Sequence, residues 1–276
     1  MNRGQTGRET LRSVTSGPHS TASGPSSAIK RRIFIVGCPR SGAELLQRHL
    51  AAHGNVHVFR ETGLFRRSST LRRSPGQVAL PRVGQAAPAD TLVRIVEDAY
   101  RETACGPMAV PESRLTRRPS LAAAVGTLDR VALAYGHRSW LERTPRHFVH
   151  ARAIERLVPR ACVIHVIRDG RDVVASMCDR ARRHPRYFGR HWGPRSAIRD
   201  WNRAIDMHAR CLGRPGHVFV LYEDLLARPQ QELDRILREC GMTGTVSQRS
   251  LEAASQAAPG AVMPLHRPRA KFRKLF

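Results

Sequence analysis

Residues 33–42 read IFIVGCPRSG. Residues 33–36 are all apolar and are followed by Gly37. Such a run bounded by a turn residue predicts a short buried strand. Beyond the turn, apolar residues recur at helical spacing, which predicts a helix over about residues 43–53. A helix that starts where a strand ends presents its first N–H groups and its dipole to the turn, and both favour an anion there. This stretch therefore predicts an α/β fold with an anion-binding loop after its first strand.

Two residues of this loop suit phosphate chemistry. Gly42 allows the backbone to approach a ligand closely, and Arg40 adds a fixed positive charge. The loop is not a Walker A motif, because that motif needs a lysine after its second glycine, where Ala43 stands. Without a second signal, an ordinary strand–helix turn explains the stretch equally well.

The second signal follows the apolar run ACVIHVI of residues 161–167, which predicts the clearest central strand. Arg168 stands at the predicted strand end, and a helix is expected over about residues 172–181. Ser176 and Arg180 lie four residues apart, so they share one face of that helix. Arginine and hydroxyl groups aimed at one point suit a phosphate monoester. A capped helix with solvated charges is the alternative interpretation.

The remaining periodicity predicts further strands over residues 56–59 and 217–222, alternating with helices. This alternation predicts a three-layer α/β/α fold with a central parallel sheet, similar to the P-loop NTPases. Such sheets bind ligands beyond the carboxyl ends of their strands. Residues 1–29 are rich in Ser, Thr, Gly and Pro and are expected to form a disordered tail. Residues 30–276 are expected to form one domain, with a helical insertion at about residues 66–140.

The formal net charge of +25 favours anionic ligands. Only three lysines contribute to it, so the excess is an arginine bias spread over the chain, and with 5% aromatic residues no nucleic-acid-binding module is predicted. The six cysteines show no metal-binding spacing. Scattered thiols, with neither a secretory signal nor a membrane-spanning run, predict a cytoplasmic protein without an integral membrane segment and without a metal site.

The two anion motifs together resemble the family of sulfotransferases that depend on 3′-phosphoadenosine 5′-phosphosulfate (PAPS). The resemblance is closest to the bacterial type, whose site layout is similar to that of tyrosylprotein sulfotransferases. It covers roughly residues 30–241 and includes three further stretches in the family's order: residues 60–62, 140–147 and 220–225. It implies PAPS as co-substrate, no metal, and transfer of a sulfuryl group to a hydroxyl or amine of a small molecule, carbohydrate or peptide.

The resemblance also implies roles for individual residues. Glu61 would be the general base, and Arg40 and Arg143 would stabilise the transferred group. The nucleotide would be bound by Pro39, Arg40, Ser41, Gly42, Ala43, Glu44, Arg168, Ser176, Arg180 and Tyr222. A surface ion pair is the alternative interpretation of Glu61, and His57 is a rival base near neutral pH. For Tyr222 and Trp140, core packing is at least as consistent with the sequence as ligand contact.

The loop departs from the family at Ala43 and Glu44, where two hydroxyl residues are usual. Each lost hydroxyl is worth about 1 kcal/mol, and a carboxylate ~5 Å from the phosphosulfate would repel it by about 3 kcal/mol at an effective dielectric of ~20. Pairing of Glu44 with Arg48, one helical turn on, is expected to relieve this repulsion. A degenerate member that binds nucleotide or a partner without catalysis is therefore the alternative function, ahead of a P-loop kinase, which would need the missing lysine.

Overall fold

The computed structural model describes residues 28–59, 61–65, 121–188, 193–247, 249 and 251–252. Within these residues, five parallel strands form one sheet in the order β2-β3-β1-β4-β5. The strands are β1 (Arg31–Gly37), β2 (His57–Phe59), β3 (Ser139–Arg143), β4 (Ala161–Ile167) and β5 (His217–Leu221). The predicted parallel sheet is confirmed, with the two strongest apolar runs adjacent as β1 and β4.

Helices flank the sheet on both faces. They are α1 (Ala43–Ala51), α2 (Leu121–Ala134), α3 (Ala151–Leu157), α4 (Gly170–Arg183), α5 (Pro185–Phe188), α6 (Pro194–Ala209), α7 (Tyr222–Ala227) and α8 (Pro229–Glu239), with a 3₁₀ helix at Pro145–His150. Alternate residues of β1 enter two separate apolar clusters, Phe34 and Val36 in one and Ile33 and Ile35 in the other. Burial on both faces explains why β1 is an uninterrupted apolar run, and the three layers agree with the sequence prediction.

Strand β3 has no counterpart among the predicted strands. Its sequence, SWLER, ends in two charged residues, yet Glu142 is completely buried. A neighbouring ion pair helps to fix this strand: Arg32 donates to Asp129 through Nε (3.0 Å) and Nη2 (2.8 Å), and Trp140 donates its indole N–H to the same carboxylate at 2.8 Å. Trp140 is therefore a core residue, and β3 is held beside β1 by polar partners that no short-range pattern reveals.

Several boundaries differ from those predicted. The predicted strand over residues 217–222 ends at Leu221, and Tyr222 begins α7 instead. Helix α4 begins at Gly170 rather than at Asp172, because the Asp169 side chain accepts a hydrogen bond from the backbone N–H of Arg171 (2.9 Å) and caps the helix there.

The predicted tail falls almost entirely, and the predicted insertion largely, outside the described residues, so both remain predictions. Among the residues that the structure describes, no helix combines the length and apolar character needed to cross a membrane.

Candidate active site

The loop between β1 and α1 has an unusual backbone at two positions. Arg40 has φ 74°, a left-handed conformation that is costly for a residue with a side chain, and Gly42 has φ 97°. Gly42 is the N-cap of α1 and provides no side-chain cap. The first N–H groups of a helix have no intrahelical acceptor. The Ser41 N–H is already bonded to the Cys38 carbonyl oxygen (3.0 Å), so the N–H groups of Ala43 and Glu44 are the ones that this turn offers to an anion.

The hydroxyl of Ser41 strengthens the case for a ligand at this loop. Ser41 is 1% exposed, and its Oγ is a buried atom without a hydrogen-bond partner. A Cβ on Gly37 would lie 2.7 Å from that oxygen and 2.5 Å from the carbonyl oxygen of Val166, so only glycine fits there. An unpaired buried hydroxyl costs stability, which a bound acceptor would offset.

Arg168 stands at the end of β4, where the backbone is fixed from two sides. Its carbonyl oxygen accepts a hydrogen bond from the indole of Trp201 (3.1 Å), and the next N–H, that of Asp169, donates to Glu223 (2.9 Å). The Arg168 side chain is 8% exposed, and its Nε is buried without a hydrogen-bond partner. Like the Ser41 hydroxyl, the Arg168 Nε is a buried polar atom without a partner near the carboxyl ends of β1 and β4.

The two anion motifs meet at one point. Arg40 donates from Nε to the Ser176 hydroxyl (3.0 Å), and Nη1 of Arg168 lies 3.4 Å from the carbonyl oxygen of Arg40. Their strands are neighbours in the sheet, so both motifs leave the same edge. The expectation that Arg40 and Arg168 face one ligand site is consistent with this geometry.

The ring of Tyr222 lies between the two motifs. The Arg168 guanidinium carbon is 4.6 Å from the ring centroid, a distance at which a cation is attracted to an aromatic face. The ring also lies against the loop, since a Cβ on Gly42 would come within 2.1 Å of the Tyr222 Cδ2. Tyr222 is therefore packed against both motifs, and burial raises its pKa.

Positive charge is concentrated at this site. Burial lowers the pKa of Arg40, as do the charges of Arg180 and Arg168, while Glu44 acts in the opposite direction. Arg180 also lies over the ring of Phe188 at 5.5 Å from its centroid. Because the three guanidinium groups repel one another, a bound anion would lower the electrostatic energy of the site.

The unusual carboxylate of the loop is paired as expected. Glu44 accepts a hydrogen bond from Arg48 at 2.5 Å, and its side chain is 55% exposed. Ala43 is buried among apolar residues of the core, so its backbone is the part that faces the loop's ligand side. Both observations reduce the disruption that the altered loop was expected to cause.

Glu61 follows β2 at the same edge of the sheet and is exposed. The loop of residues 61–65 is held by a buried hydrogen-bond network that reaches the end of β3. The Gly63 N–H donates to the Thr144 hydroxyl (3.1 Å), which donates to Oε2 of Glu142 (3.0 Å). The loop that carries Glu61 is therefore attached to the end of β3.

A second arm of the same network uses a histidine. The Phe65 N–H donates to Nε2 of His147 (3.1 Å), so the imidazole proton lies on Nδ1, which is 2.8 Å from Oε1 of Glu142. Glu142 and His147 are both completely buried. One buried carboxylate thus contacts both arms of the loop, through a hydrogen bond from Thr144 and a short contact with His147 that lacks hydrogen-bond geometry. The motif of residues 140–147 was recognised in the sequence, but no role was assigned there to Glu142 or His147.

Arg143 extends from the last position of β3 beside α1. Its Nε donates to the Gln47 amide oxygen (2.8 Å), and the Gln47 amide donates to the carbonyl oxygen of Phe59 (2.9 Å). Gln47 was not singled out from the sequence. His57, the rival base, packs against aromatic rings, 4.7 Å from Tyr135 between centroids, and burial lowers its pKa to about 4. These contacts favour a packing role for His57.

Comparison with known proteins decides the family. The sulfotransferase family profile matches residues 32–245, which is most of the chain. The chain belongs to the sulfotransferase family. The chain is 26% identical over 216 residues to protein-tyrosine sulfotransferase 2 of Gallus gallus, a match that covers 76% of the chain and 51% of the relative. The chain spans about half the length of that relative.

Solved sulfotransferases share the fold. The sulfotransferase domain from the curacin biosynthetic pathway aligns with a TM-score of 0.56 and 20% identity over 81% of this chain and 77% of that domain. A sulfotransferase of Mycobacterium tuberculosis H37Rv aligns with a TM-score of 0.51 and 19% identity over 83% of this chain and 72% of its own. The predicted fold and family are thereby confirmed.

Proposed function

We propose that this sulfotransferase moves a sulfuryl group from PAPS to a hydroxyl or amine of an acceptor. The observation that carries the proposal is the contact between two anion-binding motifs, in which Arg40 bonds to Ser176 and Arg168 approaches the Arg40 backbone. A nucleotide with charged groups on both its 3′ and 5′ positions needs two such motifs side by side. A single phosphate would leave one of them unused.

In this proposal the phosphosulfate lies on the loop of residues 39–44, against the backbone N–H groups and the Ser41 hydroxyl. The 3′-phosphate is held by Arg168, Ser176 and Arg180. Ser176 exchanges its present bond from Arg40 for one to the phosphate, and the released Arg40 contacts the phosphosulfate. The buried Nε of Arg168 gains an acceptor, which supports this arrangement.

The proposed chemistry is an in-line displacement at sulfur. The acceptor oxygen or nitrogen forms a bond to sulfur as the bond from sulfur to the bridging oxygen of the 5′-phosphate breaks, and adenosine 3′,5′-bisphosphate leaves. Glu61 takes the acceptor proton, a contribution of typically about 10²–10⁴-fold. Arg40 and the loop N–H groups stabilise the charge on the transferred and leaving oxygens, with Arg143 as a second cation.

Substitution of Glu61 tests the catalytic step. Glu61→Gln is expected to lower the rate of adenosine 3′,5′-bisphosphate release in the presence of acceptor by about 10²-fold or more, while affinity for that nucleotide stays unchanged. Glu239→Gln, an exposed carboxylate on α8 paired with Arg235, is the matched control. A Glu61→Gln rate equal to that of the control would remove Glu61 from the mechanism.

The Gallus gallus relative is by name a protein-tyrosine sulfotransferase, so tyrosine-containing peptides are the first acceptors to test. Carbohydrates and small phenols or amines are the other classes. Product formation with one class and not with the others would assign the acceptor. We further propose a cytoplasmic location, because the five cysteines of the described residues are free thiols, as is usual in a reducing compartment.

One observation favours a second candidate function. Glu44 places a negative charge beside Arg40 in the loop, and a family member so altered could bind nucleotide or a partner without catalysis. The test is turnover by wild type and by Glu44→Thr with the acceptor panel. Tight nucleotide binding by both proteins, with no transfer to any acceptor, would favour this second function.

A further inference from the structure

Three potential metal ligands come together on one face of the sheet, away from the site described above. His165 lies on β4, Cys211 follows the end of α6, and His217 begins β5. One ligand atom from each residue lies within 4.8 Å of the others, and all three side chains are buried. They are distant in sequence, which is why no metal-binding spacing was visible there.

The imidazoles of His165 and His217 are joined by a hydrogen bond, so two potential ligand nitrogens point at each other. Nε2 of His165 faces Nδ1 of His217 at 2.8 Å. The other nitrogen of His165 lies 2.7 Å from Nδ1 of His208, and the other nitrogen of His217 lies 3.5 Å from a carboxylate oxygen of Glu155. Metal-bound histidines characteristically hold their second nitrogen on a carboxylate or another polar group. His165 has such a hydrogen bond, whereas the contact of His217 with Glu155 is longer than a hydrogen bond.

We propose that His165, Cys211 and His217 form a zinc-binding site, with Nε2, Sγ and Nδ1 as ligand atoms. Thiolate and imidazole are the ligands that Zn²⁺ favours. Zn–N bonds are about 2.0–2.1 Å long, so two nitrogens of a tetrahedral site lie roughly 3.3 Å apart. The two imidazoles need to separate by roughly half an ångström, and a water molecule completes the four ligands of such three-residue sites.

The charges and protons of this step balance. Without metal, the 2.8 Å hydrogen bond between Nε2 of His165 and Nδ1 of His217 requires a proton on one of these two nitrogens. Binding releases the thiol proton of Cys211, and the shared imidazole proton moves to the remote nitrogen of its own ring, so both imidazoles remain neutral. His165 then donates to His208, and His217 donates to Glu155. Two bonds from Arg214 hold the Glu155 carboxylate in place, at 3.0 and 2.7 Å.

The site would link three elements that support the ligand-binding edge of the sheet. It joins β4 to β5 and to the residues that directly follow α6. Helix α6 carries Trp201, which holds the Arg168 carbonyl, and β5 leads directly into Tyr222. The role of the metal is therefore structural, and the proposal is independent of which nucleotide or acceptor the protein uses.

Cobalt(II) is the probe for this site, because a Co²⁺–thiolate bond gives a charge-transfer band in the near ultraviolet. The chain is prepared without a polyhistidine tag, freed of metal with a chelator, and titrated with Co²⁺ and then Zn²⁺. Wild type is expected to develop the band to saturation at one equivalent, to lose it when Zn²⁺ is added, and to melt at a higher temperature with Zn²⁺ than without.

Matched variants locate the ligand. Cys211→Ala is expected to lose the band and to weaken Zn²⁺ binding by more than roughly 100-fold. His208→Gln is expected to weaken Zn²⁺ binding by roughly 10–100-fold, the usual effect of removing a hydrogen-bond partner of a metal ligand. Cys240→Ala removes an equally buried thiol from the opposite apolar cluster and should keep the band. A wild-type protein without the band at one equivalent, or a band that persists in Cys211→Ala, would overturn the proposal. The wild-type titration decides the matter even if Cys211→Ala does not fold.

Discussion

Replacing Glu44 by threonine should tighten nucleotide binding, because it removes a negative charge and restores a hydroxyl at the phosphate loop. Glu44 lies in the first turn of α1, and its carboxylate acts on Arg40, the cation of the loop. In the structure it is turned toward Arg48 and is 55% exposed. The size of the effect depends on how far this pairing and the solvent screen the charge.

The magnitude follows from Coulomb's law and the exposure. At ~5 Å two unit charges interact by about 3 kcal/mol at an effective dielectric of ~20 and by about 0.8 kcal/mol in water. The exposed, paired carboxylate belongs near the lower value, so we take about 1 kcal/mol for the charge and about 1 kcal/mol for the new hydroxyl. The sum of about 2 kcal/mol predicts roughly 30-fold tighter binding in Glu44→Thr.

Isothermal titration calorimetry with adenosine 3′,5′-bisphosphate measures this change, and two variants separate its parts. Glu44→Gln removes the charge alone and is expected to tighten binding by roughly fivefold. Arg48→Ala leaves Glu44 without its partner and is expected to weaken binding, and the double variant Arg48→Ala/Glu44→Gln isolates that coupling. If Glu44→Gln binds no more tightly than wild type, the electrostatic reasoning about this loop is refuted.

Three further predictions concern the packing around the site. Gly42→Ala places a Cβ 2.1 Å from the Tyr222 ring, so it should abolish nucleotide binding and lower the melting temperature. Gly54 also has a positive φ, but a Cβ added there would meet no atom within 4 Å. Gly54→Ala should therefore lower stability only by about 1–2 kcal/mol of backbone strain. Equal losses of stability in Gly42→Ala and Gly54→Ala would contradict the packing described. Thr144→Val breaks two hydrogen bonds of the buried network, so it should lower kcat roughly fivefold or more and speed amide hydrogen exchange in residues 61–65. The buried control Thr127→Val should change neither quantity. Unchanged exchange in Thr144→Val would show that the network does not hold this loop. Burial lowers the pKa of His57 from 6.5 to about 4. The contribution of the neutral imidazole to stability is therefore complete above pH 6.5 and is lost as the pH falls toward about 4. Urea unfolding across that range should show a shallower pH dependence for His57→Phe than for wild type, and identical slopes would count against the buried neutral imidazole.

The strands β1 and β4 could be predicted most clearly because local sequence determines them. β1 and β4 are buried on both faces, so they stand out as apolar runs followed by turn residues. β3 could not be predicted in this way, since its buried Glu142 is acceptable only with Thr144 and His147 as partners. Polar residues that are buried in networks look like surface residues until the fold supplies their partners.

The candidate site shows the same limit. Each anion motif could be recognised by itself, because a turn after a strand and a helix face are local features. Their contact through Arg40 and Ser176 depends on the order of strands in the sheet, which periodicity does not encode. Trp201 and Gln47 were missed for that reason, and so was the grouping of His165 with Cys211.

The effect of Arg168→Ala on nucleotide affinity tests the central claim most directly. Calorimetry with adenosine 3′,5′-bisphosphate should show wild type binding roughly 10- to 100-fold more tightly than Arg168→Ala, since a hydrogen bond to a charged group contributes about 1.5–3 kcal/mol. Arg228→Ala, which removes an exposed arginine paired with Asp224, should bind as wild type does. Equal, weak binding by wild type and Arg168→Ala would contradict the account of a shared two-phosphate site.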